Sequence, residues 1–253
     1  MTRRISSFTS PWGFWHGAAI LVGAMTAYAA LSWLHMMIVE QTVGIEAYLG
    51  DGPRLPPSVL LAGQINKAIA LMGVLWLGGL ATLRLSPNAV GLVSVSRRWI
   101  ALAIIIGVLA FILRLGLAKL FVLAMPGWLE MVRPPFAFDP GLGTAATAGF
   151  LVMTIIITPF VEEVFFRGFM FKWMSGHRPV WLAALVSSIL FGIAHILPPQ
   201  AISAALMALV LCWLYWRTGS IWPAIAAHVT NNAIGVLLGA AAAAGGLPAW
   251  LTP

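Results

Sequence analysis

Residues 155–167 read Ile-Ile-Ile-Thr-Pro-Phe-Val-Glu-Glu-Val-Phe-Phe-Arg, with two adjacent glutamates, Glu162 and Glu163, in the middle of an apolar run. A carboxylate at bilayer depth costs roughly 2.5 to 3.5 kcal/mol or more. The chain has only seven acidic residues. Two of them in one apolar run must therefore be paired, protonated or in use, and this segment is the leading candidate site.

The composition predicts an integral membrane protein. The chain is 61% hydrophobic and 8% charged, with a mean hydropathy of +0.96, whereas soluble domains carry about 25% charged residues. Helices need about 20 residues to span a bilayer and strands only about 9 to 11, so the length of the apolar runs favours helices. The runs are 15–39, 59–83, 99–125, 144–171, 180–197, 201–216 and 220–244. We predict an all-α, polytopic membrane helical bundle of about seven transmembrane helices, with eight as the alternative count.

The charges between these runs predict the orientation, because positively charged loops stay in the cytoplasm. Basic residues dominate one set of loops: Arg3, Arg4, Arg84, Arg97, Arg98, Lys172, Arg178 and Arg217. Acidic residues dominate the alternate set, which holds Glu40, Glu46, Asp51, Glu130 and Asp139 beside Arg54 and Arg133. We therefore expect a cytoplasmic N-terminus and an external C-terminus. The net charge of +7 is spread over several loops, which argues against a nucleic-acid partner.

Residues 1–253 are expected to form a single transmembrane domain. Arg3-Arg4 and the small residues around Tyr28 resemble a signal peptide, but the apolar run continues to Val39, which favours an uncleaved first helix. Cys212 is the sole cysteine, so the sequence offers neither a disulfide nor a cysteine-based metal site.

Helical geometry predicts different roles for the two glutamates. Glu163 and Arg167 stand four residues apart, which favours an ion pair on one helical face. Glu162 is turned by about 100° from Glu163 and is expected to be unpaired, as suits a general base. Pro159 removes a backbone hydrogen bond and should kink or restart the helix.

Other polar groups interrupt two further spans. His195 ends one apolar run, and His228 and Asn232 stand four apart in another, so the latter two share a helical face. Counted from the span ends, Glu162, His195 and His228 are expected to meet near the bilayer midplane. Three more cations lie in the earlier spans: Lys67 and Lys119 are expected to snorkel outwards, and Arg114 falls near mid-span, where it pairs with a glutamate or binds a substrate carboxylate or a lipid headgroup.

These residues form three ordered motifs: Glu162-Glu163-x-x-x-Arg167, Phe191-x-x-x-His195 and His228-x-x-x-Asn232. Together they resemble the motifs of the CAAX-protease and bacteriocin-processing family of intramembrane proteases, also called the Abi family. The resemblance covers residues 144–238, the motif-bearing protease core.

The resemblance implies hydrolysis of a peptide bond within the bilayer, on a peptide or membrane-protein substrate. It assigns Glu162 and His195 to water activation, His228 and Asn232 to the oxyanion, and Glu163 with Arg167 to holding the site together. No cofactor is expected. The alternative is a zinc site of Glu162, His195 and His228, whose ligand types suit catalytic zinc, but the H-E-x-x-H motif of common zinc proteases is absent from the sequence.

Two other functions compete with the protease. The motif residues would serve as a polar core in a non-catalytic membrane scaffold or bacteriocin-immunity protein, although the intact motif set argues against one. A proton-coupled transporter is less favoured, because the sequence shows no inverted repeat. The compact loops suggest the inner membrane of a bacterium.

Overall fold

A computed structural model describes residues 8–49, 57–125, 144–195, 198–243 and 246. Within these residues the chain forms helices and no strand. They are α1 (Phe14–Thr42), α2 (Ile45–Leu49), α3 (Pro57–Val74, continued by a π-helical segment, Leu75–Ala81), α4 (Arg97–Ala124), α5 (residues 144–175), α6 (Val180–Ile193), α7 (Pro198–Thr218) and α8 (Trp222–Ala243). A short 3₁₀ helix, Pro87–Val90, lies between α3 and α4. The charged loop residues Arg3, Arg4, Asp51, Arg54, Glu130, Arg133 and Asp139 lie outside the described residues.

The prediction of a polytopic membrane bundle is confirmed. Six helices of the described chain, α1, α3, α4, α5, α7 and α8, are long and apolar enough to cross a membrane. The predicted span 180–197 is shorter than expected, because α6 has 14 residues and ends at Ile193. At about 1.5 Å per residue it is about 21 Å long, less than the roughly 30 Å of a hydrocarbon core.

Pro198 and Pro199 lie at the boundary between α6 and α7, as predicted, but both prolines are the first residues of α7. α7 begins at Pro198, three residues before the predicted span. Prolines suit the first turn of a helix, where the backbone N–H groups have no intrahelical partner.

Helix α5 lies at the centre of the bundle. Half of the residues in its apolar stretch are buried, compared with 17% of those in each of α1, α3 and α4. Every residue of Val164–Phe171 is buried. The outer helices instead expose large apolar side chains such as Trp33, Ile105 and Leu109, as a surface in contact with lipid does. The glutamates of α5 are therefore held in the interior of the bundle.

Two glycines fix the helices that carry the motifs. A Cβ on Gly107 of α4 would lie 2.4 Å from the carbonyl oxygen of Ala227 on α8, and one on Gly168 of α5 would lie 2.6 Å from that of Val90. Arg114 lies two turns after Gly107 on α4, and Gly235 lies two turns after Ala227 on α8. Arg114 packs against Gly235. Helices α4 and α8 thus run in the same direction, as the loop charges predict.

Candidate active site

Two π-helical segments in α5 flank the glutamates. Met153–Ile157 is π-helical, α-helical bonding resumes over Thr158–Glu163, and Val164–Phe171 is again π-helical. Pro159 stands in the first turn of the middle segment, so its missing N–H falls where the expected restart of the helix occurs. π-helical turns inside helices are frequent at functional sites, and here they set the side-chain directions around Glu162 and Glu163.

Glu163 connects α5 to α8. Its buried Oε1 accepts a hydrogen bond from Nη1 of Arg167 at 2.9 Å and lies 2.8 Å from Nδ1 of His228. The guanidinium carbon of Arg167 lies 4.2 Å from the ring centre of Phe191 on α6. The predicted ion pair of Glu163 and Arg167 is confirmed, and it joins three motif-bearing segments.

Glu162 is paired as well, and the prediction that it is free is wrong. Its Oε1 accepts a hydrogen bond from Nζ of Lys67 on α3 at 2.5 Å, and its Oε2 lies 3.8 Å from Nε2 of His228. Lys67 therefore does not snorkel outwards as expected, although its side chain remains 29% exposed. A buried carboxylate and an intramembrane ammonium each lower the free-energy cost of burying the other, which explains why the two groups meet.

Helix α3 thus contributes to the site, although its sequence carries no motif. One turn from Lys67, the amide nitrogen of Gln64 donates to Oγ1 of Thr154 at 3.0 Å, and its amide oxygen accepts from Oγ1 of Thr158 at 3.1 Å. Both threonines belong to α5, shortly before the glutamates. Polar residues three apart on one face of an apolar span are the signal that would have indicated this contribution.

The two motif histidines line one small cavity. This cavity has a volume of about 30 Å³, and its walls include His195, His228, Asn231, Asn232 and Arg114. Nδ1 of His195 lies 2.8 Å from the carbonyl oxygen of Phe191, and a carbonyl only accepts. Nδ1 therefore carries the proton, and in the neutral ring Nε2 has a free lone pair.

Asn232 of α8 contacts the first π-helical segment of α5. Its amide nitrogen donates to the carbonyl oxygen of Thr154 at 3.0 Å, and its amide oxygen accepts from Asn231 at 3.1 Å. An amide nitrogen has two N–H groups, so one remains for a further partner. The structure therefore brings the six predicted site residues to the contacts between α5, α6 and α8.

The same geometry bears on the zinc alternative. Among the described residues, no three His, Cys, Asp or Glu side chains are placed to hold a metal ion together. Glu162 is engaged by the ammonium of Lys67, so a metal ion at this carboxylate would have to displace that ammonium.

Comparison with known proteins identifies the part of the chain that carries this site. The family model of the Type II CAAX prenyl endopeptidase Rce1-like proteins matches residues 144–234. The Bacillus subtilis (strain 168) protein named "Putative membrane peptidase YdiL" is 31% identical over 88 residues, or 35% of this chain and 36% of that protein. The match thus covers about a third of that relative's length. No solved structure matches the chain. Over residues 144–234, the chain is therefore similar to the CAAX-protease and bacteriocin-processing family, as its three motifs predict.

Proposed function

We propose that this protein is an intramembrane endopeptidase that hydrolyses a peptide bond with a water activated by Glu162 and His195. The observation that carries the proposal is the position of His228, whose imidazole lies 2.8 Å from Glu163 and 3.8 Å from Glu162 while lining the same cavity as His195. A catalytic acid–base pair needs groups that converge on one water-sized space.

The proposed reaction begins with attack of the water oxygen on the substrate carbonyl carbon. The water proton passes to Glu162 or to Nε2 of His195. The tetrahedral intermediate then collapses, the carbon–nitrogen bond breaks, and the leaving nitrogen takes up a proton. Lys67 is partly exposed, so we expect its ammonium to turn away from Glu162 when substrate enters, which would leave the carboxylate free to act as the base.

The oxyanion is assigned to His228 and Asn232. Asn232 retains one N–H beyond the bond to Thr154. Nδ1 of His228 is held by Glu163, so Nε2 donates to an oxyanion when the ring is an imidazolium. The two glutamates beside the ring are the counter-ions for that form. Donors aimed at a developing negative charge in a dry site are among the largest contributions to catalysis.

The proposed substrate is a peptide segment that enters the bundle from the bilayer. The matched family model describes prenyl endopeptidases, and the relative is named "Putative membrane peptidase YdiL". Both descriptions agree with a substrate anchored in a membrane. We place the protein in the bacterial cytoplasmic membrane with its N-terminus in the cytoplasm, and we expect no nucleic-acid partner.

The test of this function is a search for new peptide termini in heavy-oxygen water. Purified protein in liposomes is incubated with membrane proteins of the source cell, and the products are analysed by mass spectrometry. Hydrolysis places one heavy oxygen in each new C-terminal carboxylate. Such termini should form with the wild-type protein and be absent with Glu162→Ala. Their absence from the wild-type reaction would favour the non-catalytic scaffold.

Treatment with a strong chelator should leave this activity unchanged, because Glu162 and His195 need no metal to take a proton from water. Elemental analysis of the purified protein should find less than one bound metal per chain. Stoichiometric zinc that is lost in His228→Ala, together with activity that returns when zinc is added, would overturn the metal-free mechanism and leave the protease assignment in place.

Reporter fusions should place residues 94–97 in the cytoplasm and a tag after Pro253 outside, because basic loops remain cytoplasmic. Alkaline phosphatase is active only outside the cytoplasm, and a fluorescent protein that folds only in the cytoplasm provides the reciprocal readout. A cytoplasmic tag after Pro253 would mean that the short helix α6 and α7 do not form two separate crossings.

A further inference from the structure

Arg114 is an intramembrane cation whose function is not explained by the proposed reaction. Among the described residues, the contact of its guanidinium carbon is with the ring of Phe111, 4.8 Å from the ring centre. The two glutamates of the site are already paired with Lys67, Arg167 and His228. No carboxylate of the described chain therefore neutralises Arg114, and a charge at this depth is costly unless it has a function.

The guanidinium of Arg114 packs closely against α8. A Cβ on Gly235 of α8 would lie 2.2 Å from Nη2 of Arg114, so the guanidinium occupies space that only glycine leaves open. The close approach of α4 to α8 at Gly107, two turns earlier, sets the distance between the helices. The guanidinium of Arg114 thus lies against α8 at Gly235, beside a close approach of two helices.

Arg114 also faces the proposed catalytic groups. It lines the small cavity that holds His195 and His228, and it lines a larger cavity of about 200 Å³ between α4, α5, α7 and α8. Asn232 and Gln200 line both cavities as well. An anion bound by Arg114 would therefore lie beside the group that is assigned to the oxyanion, within a residue or two of the bond being cleaved.

The depth of Arg114 separates the candidate anions. It stands 10 residues before the end of α4 at Ala124, which is about 15 Å along the helix and about half of the hydrocarbon thickness. Lipid phosphates lie outside the hydrocarbon region. A peptide that occupies the cavity can instead bring a carboxylate to this level.

We propose that Arg114 binds a carboxylate of the substrate next to the scissile bond, and that the protein therefore prefers substrates with an anionic group close to the cleavage position. The substrate class rests on the proposed function. A guanidinium donates two parallel hydrogen bonds to a carboxylate. The carboxylate belongs either to the free C-terminus of the peptide or to an acidic side chain.

Binding of three short peptides to the purified protein in neutral detergent tests this proposal without relying on cleavage. The probes are N-acetyl-Leu-Val-Ala as the free acid, the same peptide as the C-terminal amide, and N-acetyl-Leu-Asp-Ala amide. The wild-type protein should bind the free acid about tenfold or more tightly than the amide, since hydrogen bonds to charged groups are worth more than neutral ones. Tighter binding of the aspartyl amide than of the first amide would assign the site to side-chain carboxylates as well.

Variants identify Arg114 as the source of the preference. Arg114→Gln should bind acid and amide equally, and Arg114→Lys should keep part of the difference. Gly235→Ala retains the charge of Arg114, and alanine suits a helix. Its methyl group displaces the guanidinium, so this variant should also reduce the preference for the acid. It serves as the test if Arg114→Gln does not fold. Arg98→Gln, at the exposed start of the same helix, should behave as the wild type does.

The proposal would be overturned if the wild-type protein showed no preference for the acid, or if it bound none of the probes. It would also be overturned if Arg114→Gln and Gly235→Ala kept an unchanged preference. Phosphatidylglycerol that co-purifies with the wild-type protein but not with Arg114→Gln would indicate that Arg114 binds a lipid. Together with unchanged peptide binding, this result would also overturn the proposal. A preference that depends on Arg114 in a protein that forms no new termini in heavy-oxygen water would retain the carboxylate site and reject the protease.

Discussion

Glu162→Gln is expected to lower the rate of peptide hydrolysis by roughly 100-fold to 10,000-fold, the range that general acid–base catalysis contributes. Glutamine keeps the volume of the side chain and an oxygen that accepts from Lys67, so the contact with α3 can persist. Its amide does not take a proton from water at neutral pH. The measurement is the initial rate at which heavy oxygen enters new C-termini in liposomes.

The matched control is Glu46→Gln on α2, which removes one negative charge from an exposed position and should leave the rate unchanged. His195→Ala should also reduce the rate if both groups share the water proton. A Glu162→Gln variant that cleaves as fast as the wild-type protein would show that the base lies elsewhere, with His195 as the next candidate.

Local spacing within one helix was the most predictive feature of the sequence. The pairing of Glu163 with Arg167 follows from a separation of four residues, and the structure has this ion pair at 2.9 Å. The meeting of Glu163 with His228 joins residues 65 apart in the sequence. Depth counting predicted that Glu162, His195 and His228 meet near the bilayer midplane, but it did not predict this contact of Glu163.

The contribution of α3 could not be predicted in the same way. Lys67 is 95 residues from Glu162 in the sequence, and nothing in the composition of α3 specifies which helix it packs against. The polar pair Gln64 and Lys67 marks one face of α3, but the partner of that face depends on packing. The expectation that Glu162 is free failed for this reason, because it considered charges on one helix alone.

The boundaries of α6 and α7 show a second limit of hydropathy. The apolar run 180–197 is long enough to suggest a span, but α6 ends at Ile193, and His195 follows within a turn. The run contains no residue that forbids helix at Ala194. Because the helix ends there, Nδ1 of His195 can donate a hydrogen bond to the carbonyl oxygen of Phe191. This bond stabilises the end of the helix and orients the ring.

Glu163→Ala and Arg167→Ala should each destabilise the folded protein by roughly 3 to 5 kcal/mol, the cost of leaving one partner of a buried ion pair without the other. Both side chains are fully buried, so neither charge can turn to water. Removing Glu163 also deprives Nδ1 of His228 of its acceptor. The measurement is the free energy of unfolding in mixed detergent micelles with increasing sodium dodecyl sulfate, followed by tryptophan fluorescence.

Glu162→Ala is the matched comparison, because it removes a neighbouring carboxylate whose partner has another way to be satisfied. The side chain of Lys67 is 29% exposed and its flexible stem can carry the ammonium towards solvent, so this variant should lose much less stability while losing its activity. The double variant Glu163→Ala with Arg167→Ala should be less destabilised than the sum of the two single changes, since no buried charge of the pair remains. Equal losses in Glu162→Ala, Glu163→Ala and Arg167→Ala would contradict this division between a glutamate that reacts and a glutamate that holds the helices together.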